Sequence, residues 1–224
     1  MILTVCGGKG GVGKSTVALA LGHALDGVVV DADLGMPDLP TDAGPTLQDV
    51  AAGRVEPSAA IRSEWAVSLL PADPSLAGAR AVEPAAVATA LSSVAETAGD
   101  VIVDGPAGLG ADAAVPMTVA DACVVVTTPE TPAVADAVRT RAVARELDVG
   151  VGAVVLNRVG ERRPPIEKRL GGPVVEIPES EAVGRASARG LPVTVTRPES
   201  PAARRFLQLA GRLRRVTRRS RFEW

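Results

Sequence analysis

The 224-residue chain is 46% hydrophobic, long enough for one sizeable α/β domain and short for two. Its net charge of −2, its two distant cysteines (Cys6 and Cys123) and the lack of any apolar run near the ~20 residues of a membrane span exclude a disulfide scaffold, a paired-cysteine zinc site and a transmembrane protein. The opening MILTVCGG lacks a charged segment followed by a cleavable apolar one, so the expected setting is the reducing cytoplasm.

In chain order, strands are predicted at 2–6, 27–32, 66–70, 100–105, 122–128, 151–157 and 173–177. They are continuous apolar, β-branched runs rather than alternating ones, as in strands covered on both faces. Helices are predicted at about 14–25, 46–53, 83–98, 111–119, 132–147, 164–170, 179–189 and 200–217. The repeated strand-then-helix order predicts an α/β fold, a mostly parallel sheet flanked by helices on both faces. Residues 1–217 read as one domain and 218–224 as a basic tail. Gly99, Gly150, Pro129, Pro132 and Pro178 punctuate the elements, and 34–45 reads as a Pro- and Gly-rich loop after the second strand.

The stretch CGGKGGVGKST, Cys6 to Thr16, follows the first strand and fits two fingerprints. Gly8-Lys9-Gly10-Gly11-Val12-Gly13 matches the dinucleotide turn G-x-G-x-x-G, and Gly8 to Ser15 matches the phosphate loop G-x-x-x-x-G-K-S. Asp31 and Asp33 lie where a dinucleotide fold places its ribose-binding acid. A dinucleotide site, however, has no use for Lys14 and Ser15 directly after Gly13. A triphosphate site does: the loop N–H groups cradle phosphates, the lysine bridges them, and the serine hydroxyl ligates Mg²⁺. The strand VIVDG ends in Asp104, which suits support of a metal ion, and Asp33 is placed to orient an attacking water. Lysine is rare here, at three against 21 arginines, yet two of the three, Lys9 and Lys14, lie in this loop. That usage argues for a compact, flexible point charge at both positions.

KGGVGKST (9–16) resembles the deviant phosphate loop of the MinD/ParA family of ATPases, marked by an additional lysine before the two glycines. VVVDADLGMPDL (28–39) resembles its first switch, and DVIVDGPAGLG (100–110) its metal strand and second switch. VVLNRV (154–159) and the segment 177–206 resemble its base-recognition and C-terminal parts, closer to MinD than to ParA. The resemblance implies slow, partner-stimulated ATP hydrolysis with Mg²⁺, an ATP-dependent homodimer, and a role in positioning cellular components such as the division site, the chromosome or surface machinery. Gly8, Gly10, Gly11, Val12, Gly13, Lys14, Ser15 and Thr16 would hold the phosphates, with Ser15 and Asp104 serving the metal. Lys14 and Asp33 would act in catalysis, together with Lys9 reaching the partner subunit's phosphates. Asn157 would bond adenine with Pro178 nearby, and a regulatory protein would dock on the switches. The proline-rich 34–45 segment, stiffened by Pro37, Pro40 and Pro45, departs from the usual first-switch surface.

Alternatives on the same loop are a small-molecule ligase or transferase, and a nucleotide-dependent binding protein with little turnover. An iron–sulfur carrier would need paired cysteines, whereas Cys6 and Cys123 read as buried small hydrophobes. A tyrosine autokinase would need tyrosine, and the chain has none. His23, within the first helix, reads as structural. From Arg204 to Trp224 there are eight arginines and one glutamate. Apolar residues recur at helical spacing at Ala202, Phe206, Leu209, Leu213 and Val216, and the stripe is expected to pack on the sheet. This leaves free a basic end whose sizeable apolar groups are Val216, Phe222 and Trp224. That end is suited to solvent or a protein contact, or to weak, salt-sensitive, dimerisation-dependent attachment at the inner face of the membrane, rather than to DNA.

Overall fold

A computed structural model of the chain describes residues 1–41, 43–63, 66–75, 78, 82–160, 167–171 and 173–220. Seven strands run in the order β3-β2-β4-β1-β5-β6-β7, every neighbouring pair parallel. They are β1 (Ile2–Gly7), β2 (Val28–Asp31), β3 (Leu69–Leu70), β4 (Val101–Ala107), β5 (Ala122–Thr127), β6 (Val151–Val159) and β7 (Val174–Pro178). The chain winds from β1 toward β2 and β3 on one side and, after β4, toward β5, β6 and β7 on the other. Such a reversal opens a crevice at the carboxyl ends of the central strands, where ligands of open α/β sheets bind.

Helix α1 (Lys14–Leu25) and the long α10 (Pro201–Ser220) cover one face. Leu3 and Val5 of β1 point into that core beside Val17, Leu21, Phe206, Leu209 and Leu213. The opposite face has two cores. One lies beneath α2 (Leu47–Ala51), α3 (Pro57–Ala60) and α4 (Pro84–Ala98), and receives Ile2, Val30 and Val103. The other lies beneath α6 (Thr131–Glu146), and receives Cys6, Cys123 and Val125. Covering on both faces is why the strands read as unbroken apolar runs. Both cysteines are buried as expected, and His23 is exposed on the last turn of α1.

Differences from the expected elements have local causes. The helix expected over 111–119 divides into α5 (Ala111–Ala114) and a 3₁₀ turn, Val115–Val119, because Pro116 supplies no N–H for the α-helical ladder. The strand expected at 66–70 shrinks to Leu69–Leu70, with Leu69 also bridging Arg62 antiparallel. Short α3 and α9 (Val193–Thr196) were not expected; both begin after or at a proline. Residues 164–166 of one expected helix lie outside the described residues, and α7 spans Glu167–Leu170. Helix α8 (Glu181–Ser187) is shorter at both ends than the predicted 179–189.

The stripe on α10 is spent on the body of the protein. Ala202, Phe206, Leu209 and Leu213 are fully buried, whereas Val216 is exposed. Removing the Phe206 ring should therefore cost about 3–5 kcal/mol of unfolding free energy, and Val216→Ala less than about 0.5 kcal/mol. Urea titration of the two variants checks this; equal effects would mean that α10 is not docked through Phe206.

Candidate functional site

Strand β1 delivers the glycine loop to the carboxyl edge of the sheet, and α1 starts at Lys14. Gly8 and Gly13 are demanded by the packing around the loop. Gly13 is the N-cap of α1 at φ 101°, and a Cβ there would strike the Asn157 amide. Gly8 passes so close to α6 that a Cβ would lie 2.6 Å from the Asp136 Cβ. At Gly10 and Gly11 a Cβ would meet no atom within 4 Å, although the backbone of Gly11, at φ 76°, itself favours glycine. The loop therefore borders open space on its outer side, and glycine there lets a ligand approach the backbone. The first turn of α1 has no side-chain cap and no acidic residue. Its N–H groups thus face that space unspent, an arrangement that favours an anion.

Lys14 is only 8% exposed, and its charge acts on Asp33 and Asp104. Asp104 is 1% exposed, and its Oδ1 is buried without a hydrogen-bond partner. Burial pushes its carboxyl well above the usual range, and Asp31 pushes it further; the Ser15 hydroxyl and Lys14 pull it back only in part. An orphaned carboxylate oxygen beside a serine hydroxyl is a donor set for a hard cation, so these residues fit Mg²⁺. Among the described residues no group of three or more His, Cys, Asp or Glu side chains forms a closed metal cage. Mg²⁺ commonly takes few protein ligands and completes its shell with phosphate and water.

Parallel pairing of β2 with β4 puts Asp31 opposite Asp104. Asp31 is buried and accepts the N–H groups of Asp33 at 3.0 Å and Leu39 at 3.3 Å, tying down the following loop. Burial pushes its carboxyl up to about 7. Asp33 is half-buried and accepts the Met36 N–H at 3.2 Å. Its carboxyl is raised by burial and lowered by the Met36 N–H, by Lys14 and by the Ala107 N–H. The two acids thus divide the work: Asp31 is committed to the backbone, while Asp33 lies between the lysine and the segment after Asp104.

Three placements could not have been read from sequence. Lys9, 47% exposed, forms an ion pair at 3.3 Å with Glu130, the residue just before α6. An exposed pair of this kind is worth about 0–1 kcal/mol, so Lys9 remains free to exchange partners. Asn157 is buried at a register shift in β6; its Nδ2 donates to the Val12 carbonyl at 2.8 Å and its Oδ1 accepts the Arg158 N–H at 3.0 Å. It braces the glycine loop from behind. Thr16 shares a 2.8 Å hydroxyl hydrogen bond with Ser187 at the end of α8. Pro178 ends β7 and lines a cavity of about 600 Å³ with Val159, Gly160, Glu179 and Arg205. The structure brings Gly8 to Thr16, Asp33, Asp104 and Asn157 to one place, and Pro178 sits at the edge beyond β6.

The profile of the CobQ/CobB/MinD/ParA nucleotide binding domain matches residues 3–193. An uncharacterized ATP-binding protein of Methanocaldococcus jannaschii is 34% identical over 94% of this chain and 87% of its own length. The cell division ATPase MinD of Pyrococcus furiosus superposes with a TM-score of 0.88 at 30% identity, covering 96% of this chain and 98% of that one. MinD of Pyrococcus horikoshii, solved with Mg-ADP, superposes with a TM-score of 0.87 at 28% identity over 96% of both chains.

The Asn157 brace has a consequence without any ligand. Asn157→Ala should lower the unfolding free energy of the nucleotide-free protein by about 1–3 kcal/mol, because it leaves the buried Val12 carbonyl unpartnered. Thermal unfolding of the apo protein checks it; an unchanged midpoint would show that the amide does not hold the loop.

Proposed function

The chain belongs to the CobQ/CobB/MinD/ParA family of nucleotide-binding proteins, and from that premise we propose that it is an ATP-hydrolysing dimerisation switch of the MinD type. The observation that carries this reading is the convergence of the buried Lys14 and the orphaned Asp104 oxygen at a glycine loop opening onto an uncapped helix. That set suits a triphosphate with its metal ion. A dinucleotide would leave Lys14 without a purpose.

In this reading the N–H groups of Gly8, Gly10, Gly11, Val12 and Gly13 surround the phosphates, and Lys14 neutralises their charge. Thr16 donates its hydroxyl to a phosphate oxygen. Ser15 and Asp104 would hold Mg²⁺, Ser15 through its hydroxyl and Asp104 through water, and the bound ion would supply Lewis-acid stabilisation of negative charge on the phosphate oxygens. Asp33, half-buried and not fully committed to the backbone, accepts a hydrogen bond from the attacking water and orients it. Asn157 holds the loop and offers its second Nδ2 hydrogen toward the adenine, with Pro178 nearby. Lys9 leaves Glu130 and reaches the phosphates of the partner subunit in an ATP-dependent homodimer, because a γ-phosphate is the stronger charge partner.

Exposed Met36 and Leu109 follow the two switch acids in sequence. They offer apolar contacts for a regulatory protein that reads nucleotide state. The domain is taken as 1–217 and the tail as 218–224, although α10 runs on past that boundary to Ser220. Among the described residues no helix is long and apolar enough to cross a membrane. With the α10 stripe buried through Leu213, the basic end supports weak, electrostatic contact with an anionic inner membrane surface more than stable anchoring or DNA binding. The work done is spatial positioning of a cellular component from the cytoplasm, with slow turnover raised by the regulator.

Gel filtration with MgATP or MgADP, paired with phosphate release, tests the switch. The parent should dimerise with MgATP and not with MgADP. Lys14→Ala should lose nucleotide binding. Lys9→Ala should bind MgATP with little loss yet stay monomeric and turn over at least tenfold more slowly. A Lys9→Ala protein that dimerises and hydrolyses like the parent would remove the trans role.

A further inference from the structure

We infer that Ser187 is a positioning residue for phosphate recognition, acting through the hydroxyl of Thr16. The inference rests on the proposed phosphate-binding role of Thr16. The two hydroxyls are 171 residues apart in sequence and 2.8 Å apart in space. Thr16 is the third residue of α1, and Ser187 is the last residue of α8. The contact is held by packing: Ala182, Val183 and Ala186 of α8 sit against the core that contains Val17 and Ala20 of α1.

Each hydroxyl has one proton to donate and two lone pairs to accept with. If Thr16 gives its proton to Ser187, it has none for an anion. With an anion before the loop, the favourable arrangement is the other one: Ser187 donates to Thr16, and Thr16 donates to the phosphate oxygen. The donation from Ser187 then fixes the Thr16 rotor and polarises its O–H, strengthening the outer bond. Two consecutive side chains of α1 are thus set by partners on opposite sides. Ser15 is met by Asp104 of β4, and Thr16 by Ser187 from the segment that follows β7. Because α8 lies just after Pro178, the same link ties the phosphate side of the site to the predicted base side.

Calorimetric titration with MgADP of the parent, Ser187→Ala, Ser187→Thr, Thr16→Val and the double variant S187A/T16V tests this. Ser187→Ala should weaken MgADP roughly three- to tenfold, the scale of one hydrogen bond, and Ser187→Thr should restore most of that loss. In the Thr16→Val background, Ser187→Ala should add no further loss. Apo unfolding midpoints should match in the parent and Ser187→Ala, since the exchange is at an exposed hydroxyl. Parent-like affinity in Ser187→Ala would overturn the inference, as would an equal loss in both backgrounds. If Thr16→Val itself binds MgADP like the parent, it is the phosphate role of Thr16 that fails, and the inference falls with it.

Discussion

The site depends on one electrostatic constraint: charge has been placed in buried positions at the first residue of α1 and within β4, and buried charge must be compensated. Lys14 and Asp104 are almost wholly withdrawn from water, and Asp31 lies beside Asp104 in register. Burial raises the carboxyls of both acids, which means that the fold bears a cost for holding them there. Such a cost is tolerated where it serves binding. In the proposed reading a phosphate group would bring negative charge to Lys14 and the α1 N-terminus, and a divalent cation would bring positive charge to Asp104. Neither compensates the site alone, which explains why nucleotide and metal are expected to bind as one species.

The rest of the architecture makes that placement possible. Close passage of α6 behind Gly8, the positive φ at Gly13 and the Asn157 brace together leave the glycine loop one path. Asp31 spends both oxygens on the backbone and so sets the course of the loop bearing Asp33. Asp33 in turn feels both Lys14 and the Ala107 N–H, so the segments after β2 and β4 meet at a single carboxylate. A change in charge at the phosphates would be felt by both segments, and the exposed Met36, 78% accessible, rides on one of them. In the proposed switch, a local charge change at Asp33 would be read by a loop that Asp31 anchors at Asp33 and Leu39.

Much of this was legible in sequence because it is local. The spacing from Gly8 to Ser15 encodes a turn and a helix start, and the apolar runs encode strands buried on both faces. Asp104 was legible as the acid of an apolar strand, but not as its end: β4 runs on to Ala107 because Gly105 to Ala107 continue the extended backbone, so Asp104 lies mid-strand. Contacts between distant residues were not legible. The link from Asn157 to Val12 spans 145 residues, Lys9 to Glu130 spans 121 and Thr16 to Ser187 spans 171, and no periodicity announces them. Asn157 shows the difference well. Its amide fits adenine as donor and acceptor, but two of its bonding positions are already used on the loop and on Arg158. The position of Asp31 nearer the strand already favoured Asp33 as the water-orienting acid; what the structure adds is the physical reason, the two backbone N–H groups that Asp31 accepts.

If Asp104 is held at a cost for the sake of a metal-bearing nucleotide, replacing its charge should separate stability from function. A raised carboxyl contributes instability that is absent below its unfolded pKa and grows as pH rises through the interval up to the folded value. At neutral pH that penalty is present, and Asp104→Asn removes it. The direct measurement is the unfolding free energy of the parent and Asp104→Asn at neutral pH, each with and without saturating MgATP. The account predicts that the apo variant is more stable than the apo parent by about 1–3 kcal/mol, and that it loses most of the stabilisation by MgATP. An apo variant less stable than the parent, with its MgATP stabilisation intact, would contradict it.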